Sequence, residues 1–277
     1  MSYFIRTLFA ALLAAMLGAG QGLPRLKPGF NFFSKQQDIA LGREAAQQVS
    51  QKYQVVRDTE LSSYLARLGA RLAARPEADS ADFPYSFTLV RDKTINAFAL
   101  PGGPTFVHTG LILAAENEAQ VAGVLAHEIS HVALRHGTHQ ATKAMGVQLV
   151  AGLLSSEVGQ GSLLGQLTQA GLAFGANSVL LKYSRDAEKQ ADLLGVQILS
   201  GAGYNPIEMA RFFERLEADG GARGPQFFSD HPNPGNRVSY IEDTIRYLPR
   251  AEYTPDTGQF RRIQDRVRKL PGGTSGK

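Results

Sequence analysis

The stretch from Asn117 to His136 constrains this chain more than any other, because it is helix-length, almost wholly apolar, and yet carries His127, Glu128 and His131 in its middle. Residues four apart share one face of a helix, so the two imidazoles project together among Val124, Leu125, Ala126, Val132 and Ala133. A helix apolar on every side is central and buried. Asn117 is placed to cap its start and Gly137 to end it. Burying Glu128 there without a partner would cost several kcal/mol, so the rest of the fold has to supply one.

The spacing His127-Glu128-Ile129-Ser130-His131 brings two imidazoles onto one ion. A catalytic zinc takes about three protein ligands and keeps one position open. Glu128 falls beside that position, where it is placed to deprotonate water. The bland alternative is a pair of structural histidines satisfied by hydrogen bonds. The chain has no cysteine, which excludes disulfides, thiolate nucleophiles and thiolate metal sites; any metal must use His, Asp or Glu.

The third ligand follows by elimination. The metzincin spacing requires a glycine three residues and a third histidine six residues after the second His. Leu134 and Gly137 stand there instead. A glutamate from a later helix is the main alternative, and the helix opening at Ser184 sets Glu188, Ala191, Asp192 and Gly195 on one face. Glu188 is read as the ligand. Asp192, one turn on, is read as the carboxylate that accepts a hydrogen bond from the outer nitrogen of a ligand His. An ordinary solvated helix end is the competing reading of the pair.

Elsewhere the pattern gives a helix from Ser34 to Tyr53, opened by Ser34 and Gln37 at capping-box spacing, and a second from Thr59 to Ala74. Tyr85–Val90, Ile95–Leu100 and Thr105–Leu113 read as three strands, with a turn at Pro101-Gly102-Gly103-Pro104. Ala144 to Leu181 is rich in Leu, Ala and Gly but broken by Gln148, Glu157, Gln160, Gln166 and Gln169, which fits an amphipathic helical hairpin better than a membrane span. Asn205-Pro206 starts a further helix. The expected class is α+β: mainly helical, with a small three-stranded sheet beside the central helix.

Three other histidines take bland roles first: a capping or buried hydrogen bond for His108 and His136, the second lying off the ligand face, and the surface for His139. The formal charge is +4 and the cationic side chains are dispersed, apart from Arg261, Arg262, Arg266, Arg268 and Lys269. That excludes a nucleic-acid footprint and leaves the cluster as a solvated helix face, or as a weak attraction to anionic membrane surfaces.

Arg6, the apolar run Leu8–Leu17 and the small residues Gly18-Ala19-Gly20 have the layout of a secretory signal peptide, so the expected location is the periplasm. An uncleaved anchor is the alternative, and lipoprotein attachment is excluded because no cysteine follows the run.

Together these residues resemble the gluzincin metalloprotease family that includes the CAAX prenyl protease, the heat-shock protease HtpX and the bacterial β-barrel assembly-enhancing protease. The likeness runs from about Phe33 to Pro249, through Ile39-Ala40-Leu41-Gly42-Arg43-Glu44, Asn96-Ala97-Phe98-Ala99-Leu100-Pro101-Gly102-Gly103, the His127–His131 motif, and Ser184-Arg185-Asp186-Ala187-Glu188 with Ala191-Asp192. It implies the same ligand set, His127, His131 and Glu188. It further implies an edge strand at Asn96, Ala97 and Phe98 that pairs with extended substrate. From His231-Pro232-Asn233-Pro234-Gly235-Asn236-Arg237 it implies a His231 that approaches the metal or stabilises an oxyanion, with Arg237 close by.

The reading at this point is a zinc metalloendopeptidase with one Zn2+ per chain, acting on unfolded or misassembled envelope proteins and linked by resemblance to outer-membrane protein assembly. Residues 1–20 are expected to be the signal peptide, 21–33 a linker, 34–250 the metalloprotease domain and 251–277 a tail. Two other readings stand beside it. One is a non-catalytic holdase in which the hairpin covers the zinc; in the other the hairpin is a membrane-surface element.

Overall fold

The computed structural model describes residues 23, 25–79, 82–154, 183–219, 226–253 and 258–271. The leader, and residues 155–181 of the expected hairpin, lie outside them. The helices are α1 (Lys35–Lys52), α2 (Thr59–Ala73), α3 (Thr109–Ala114), α4 (Glu118–Ala133), α5 (His136–Leu154), α6 (Arg185–Gly201), α7 (Ile207–Asp219), α8 (Gln226–Asp230), α9 (Arg237–Ile245) and α10 (Gln259–Arg268). The strands are β1 (Ser86–Val90), β2 (Ala97–Ala99) and β3 (Pro104–His108). Among the described residues no helix is long and apolar enough to cross a membrane.

α4 is the centre of the fold. It packs against α2, α6, α7 and the sheet, and every residue from Gln120 to Ala133 is buried. Asn117 caps it by accepting from the Gln120 amide at 3.0 Å, as its position implied. Val124, Leu125 and Ile129 are within 1 % of complete burial. Each such side chain contributes roughly 1.5–3 kcal/mol, which offsets drawing ionisable groups into the same helix. α6 crosses α4 closely because Gly195 faces it: a Cβ there would stand 3.2 Å from the His127 amide nitrogen.

The sheet is mixed, in the order β1-β3-β2, with β1 parallel and β2 antiparallel to β3. β2 is therefore an edge strand, and it packs against α4. The capping box at Ser34 and Gln37 is formed as read. The third strand is shorter than the sequence suggested, ending at His108 where α3 begins. The cause is the Asp92 carbonyl, which receives the Gly110 amide and the Thr109 hydroxyl, both at 2.8 Å, and bends the chain out of the sheet.

α4 also stops earlier than expected. Leu134 caps it and Arg135 adopts a left-handed φ of 55°, so Gly137 falls inside α5. Arg135 is held in that conformation by its side chain, which donates to Asp38 Oδ2 at 2.6 Å and to the Phe33 carbonyl at 2.5 Å. On α10 the residues Phe260, Ile263 and Val267 are buried, while Arg261, Arg262 and Arg268 face solvent as the charge pattern implied.

Candidate metal centre

His127 and His131 project from the same face of α4, and α6 brings Glu188 up to them. The Nε2 atoms of the two histidines are 3.0 Å apart. Glu188 Oε2 lies 3.3 Å from His127 Nε2, and its Oε1 lies 3.4 Å from His131 Nε2. The loop after α8 adds His231, whose Nδ1 is 3.3 Å from His127 Nε2 and 3.2 Å from Glu188 Oε1. All four side chains are buried, and their donor atoms lie within 4.8 Å of one another.

These separations fit a metal. Zinc–nitrogen and zinc–oxygen bonds of about 2.0–2.1 Å set tetrahedral donors roughly 3.3 Å apart. Charge points the same way. Glu128, Glu188 and Asp192 are three buried carboxylates, and the buried guanidinium of Arg237 pairs with the last two, which leaves two negative charges for a divalent cation to balance. Glu128 also keeps one buried oxygen, Oε1, without a hydrogen-bond partner.

A second layer fixes these groups. His127 Nδ1 lies 2.9 Å from Asp192 Oδ1, so the Nδ1 hydrogen goes to the carboxylate and Nε2 keeps its lone pair for the cluster. Arg237 Nε donates to Asp192 Oδ2 at 2.8 Å, and its Nη2 donates to Glu188 Oε2 at 3.0 Å. Its guanidinium lies 4.3 Å from the centre of the Phe213 ring. Tyr240 donates a short hydrogen bond to Asp192 Oδ2.

Glu128 points to the other side, toward β2. Its Oε2 accepts from the Ala99 amide at 2.9 Å, while Oε1 stands 3.4 Å from His231 Nε2.

The environment biases each titration. Burial lowers His127, but the charge of Glu188 and the hydrogen bond to Asp192 outweigh it and raise the pKa to about 9. Burial is the largest cause at His131, held well below its ordinary value, and at His136, lowered to about 4, with neighbouring histidines adding to it. Burial raises Glu128 above its ordinary value. For Glu188, burial is opposed and exceeded by the neighbouring His231 and His127, which hold the carboxyl well below the usual range.

A model of Peptidase family M48 matches residues 59–245, a span that contains every side chain just described. The chain belongs to Peptidase family M48. The M48 chain is 32% identical to the putative beta-barrel assembly-enhancing protease of Vibrio cholerae over 231 residues, which is 79% of this chain and 46% of the relative. It is 32% identical to the beta-barrel assembly-enhancing protease of Escherichia coli K12 over 213 residues, 73% of this chain and 42% of that one. It is 29% identical to the metalloprotease YcaL of Escherichia coli K12 over 189 residues, 67% and 73% of the two chains. The chain thus spans less than half the length of the two assembly-enhancing proteases.

The M48 fold brings His127, Glu128, His131, Glu188, Asp192, His231 and Arg237 into one buried cluster. The three residues read as a substrate strand lie beside it in different settings. Ala97 and Phe98 belong to β2, but the Phe98 ring turns inward onto Phe106 at 5.4 Å. The Asn96 side chain donates to Asp230 Oδ2 at 2.9 Å.

Sequence reasoning missed Tyr240, Ala99 and Tyr183, whose ring stacks on His131 at 4.0 Å. Tyr240 was findable, three residues after Arg237 on the same helix. Ala99 acts through its backbone and Tyr183 precedes the Ser184 cap, so neither carried a side-chain signal. His108 makes the expected buried bond, to Thr94 Oγ1 at 2.7 Å.

Proposed function

We propose that this chain is a zinc-dependent endopeptidase of the cell envelope, cleaving unfolded or misassembled proteins. The observation that carries the reading is the convergence of His127, His131 and Glu188 at tetrahedral-edge separations, with the partner-free oxygen of Glu128 alongside. When bound, zinc supplies Lewis-acid polarisation of a scissile carbonyl and acidifies water.

In this reading His127, His131 and Glu188 hold the ion, while Asp192 orients His127. Glu128 takes the proton from the attacking water and passes it to the leaving amine. Its raised pKa suits that exchange, and the Ala99 amide keeps Oε1 turned toward the reacting groups. Arg237 holds Glu188 and Asp192 in place and balances their charge.

Substrate is bound in extended form along the outer edge of β2. Residues 97 and 99 point their backbone groups away from β3, since 96, 98 and 100 are the ones that pair with it.

His231 fits a restraining role in the described conformation. Its Nδ1 fills the fourth corner of the donor set and its Nε2 lies against Glu128, so substrate and water are admitted once this loop withdraws.

The leader layout supports export to the periplasm, and the names of the relatives support a link to β-barrel assembly. Casein digestion by the full chain tests the reading. It is expected to stop on addition of a chelator and to resume with zinc. Protection of an unfolded client without fragments would favour the holdase instead.

A further inference from the structure

His131 also has an outer nitrogen, and it is engaged. His131 Nδ1 lies 3.0 Å from His136 Nδ1, and His136 Nε2 lies 3.2 Å from Gln190 Oε1. In an unbroken helix, residues five apart point about 140° away from each other. The left-handed backbone of Arg135 ends α4 and folds His136, the first residue of α5, back onto His131. His136 is 5 % exposed, and Gln190 comes from α6, two residues beyond Glu188.

The three-membered chain admits two polarities. In one, His136 Nε2–H donates to Gln190, so His136 Nδ1 is bare and accepts the Nδ1–H of His131; His131 Nε2 then keeps its lone pair. In the other, the Gln190 amide donates to His136, His136 Nδ1–H donates to His131, and His131 Nε2 must carry the hydrogen. That hydrogen would point into the cluster, where His127 Nε2 stands 3.0 Å away. Only the first polarity leaves His131 able to bind a cation.

We propose that His136 and Gln190 are positioning residues that fix His131 in its Nδ1–H form and so free its Nε2 for the metal. The proposal rests on the zinc reading given above and adds to it. α6 then supplies the ligand Glu188 and the outer support of both imidazoles. Asp192 supports His127 directly through a carboxylate, and Gln190 supports His131 through a neutral ring. The two histidine ligands are therefore electronically unequal, His127 being the stronger donor.

Zinc affinity, measured on the full chain by competition with a chromophoric chelator, tests this alongside thermal melting and the imidazole nitrogen shifts of His131. His136→Ala is expected to weaken zinc binding about 10- to 100-fold. His136→Asn, whose amide oxygen stands where Nδ1 does and can accept from His131, is expected to recover part of that loss. Gln190→Ala removes only a half-buried side chain and is expected to weaken binding in the same direction by a smaller factor, with a wild-type melting curve. The inference is overturned if Gln190→Ala and a folded His136→Ala both bind zinc within twofold of wild type, or if His131 in the zinc-loaded wild type lacks its Nδ1 hydrogen. A wild-type chain that takes up no zinc would overturn the metal reading itself, and is told apart by the metal content of that chain alone.

Discussion

Asp192 accepts from His127 Nδ1 at 2.9 Å through one carboxylate oxygen and from Arg237 Nε at 2.8 Å through the other. One buried side chain thus orients a metal-facing imidazole and anchors the cation that braces Glu188. Replacing it with alanine removes both functions. Asp192→Ala is expected to lower zinc affinity about 10- to 100-fold. It also takes from the buried Arg237 one of its two carboxylate partners, which lowers stability. Chelator competition and denaturant unfolding measure the two losses separately, and unchanged zinc affinity would contradict the orienting role.

The crossing of α4 and α6 sets the distance between Glu188 and the histidines. Gly195 leaves its contact with the His127 amide nitrogen at 3.2 Å for an added Cβ, with further side-chain atoms crowding in behind. Gly195→Val is expected to push the helices apart, costing about 1–3 kcal/mol, and to weaken zinc binding as well. A melting curve and a zinc titration on the same sample check whether both move together.

The histidine cluster gives the metal-free chain a distinctive pH profile. His127 is raised to about 9 from 6.5, so its contribution to stability is complete below about pH 6.5 and is lost as pH rises through 9. Glu188 is held below its ordinary 4.5, so its contribution is complete above that value and is lost as pH falls further. His131 and His136, both lowered, cost stability as pH falls below 6.5, so the metal-free chain should melt highest near pH 6.5 and lose stability toward pH 9. Zinc displaces the His127 proton, so the loaded chain should show no such loss. A metal-free melting temperature that climbs from pH 6.5 to 9 would contradict this assignment.

His231 is expected to restrain the enzyme in the described conformation. His231→Ala should raise the initial rate of casein cleavage several-fold while leaving zinc bound by the other three ligands. A fall in rate at unchanged zinc content would instead assign His231 to stabilisation of the reacting oxygen.

Much of this site was legible because its chemistry conflicts with its surroundings. Glu128 between Ala126 and Ile129, and Glu188 and Asp192 on a face shared with Ala191 and Gly195, are charges in apolar settings that need a cation. What the sequence hid depends on backbone geometry. His136 was set aside because the helix was read as continuous, and the left-handed turn at Arg135, stabilised by Asp38 nearly a hundred residues earlier, places it against His131. The overlong third strand failed likewise, since a loop carbonyl at Asp92 decides where it bends. His231 and Arg237 came through resemblance, as a His-Pro turn alone does not announce a ligand.

The central claim is that Glu128 moves the proton while its neighbours hold the metal, and Glu128→Gln separates the two. Glutamine can still accept from the Ala99 amide, so the variant is expected to fold and to contain one zinc per chain by plasma emission. Its casein cleavage is expected to fall about 10²- to 10⁴-fold. Zinc-loaded Glu128→Gln that cleaves casein at the wild-type rate would contradict the account.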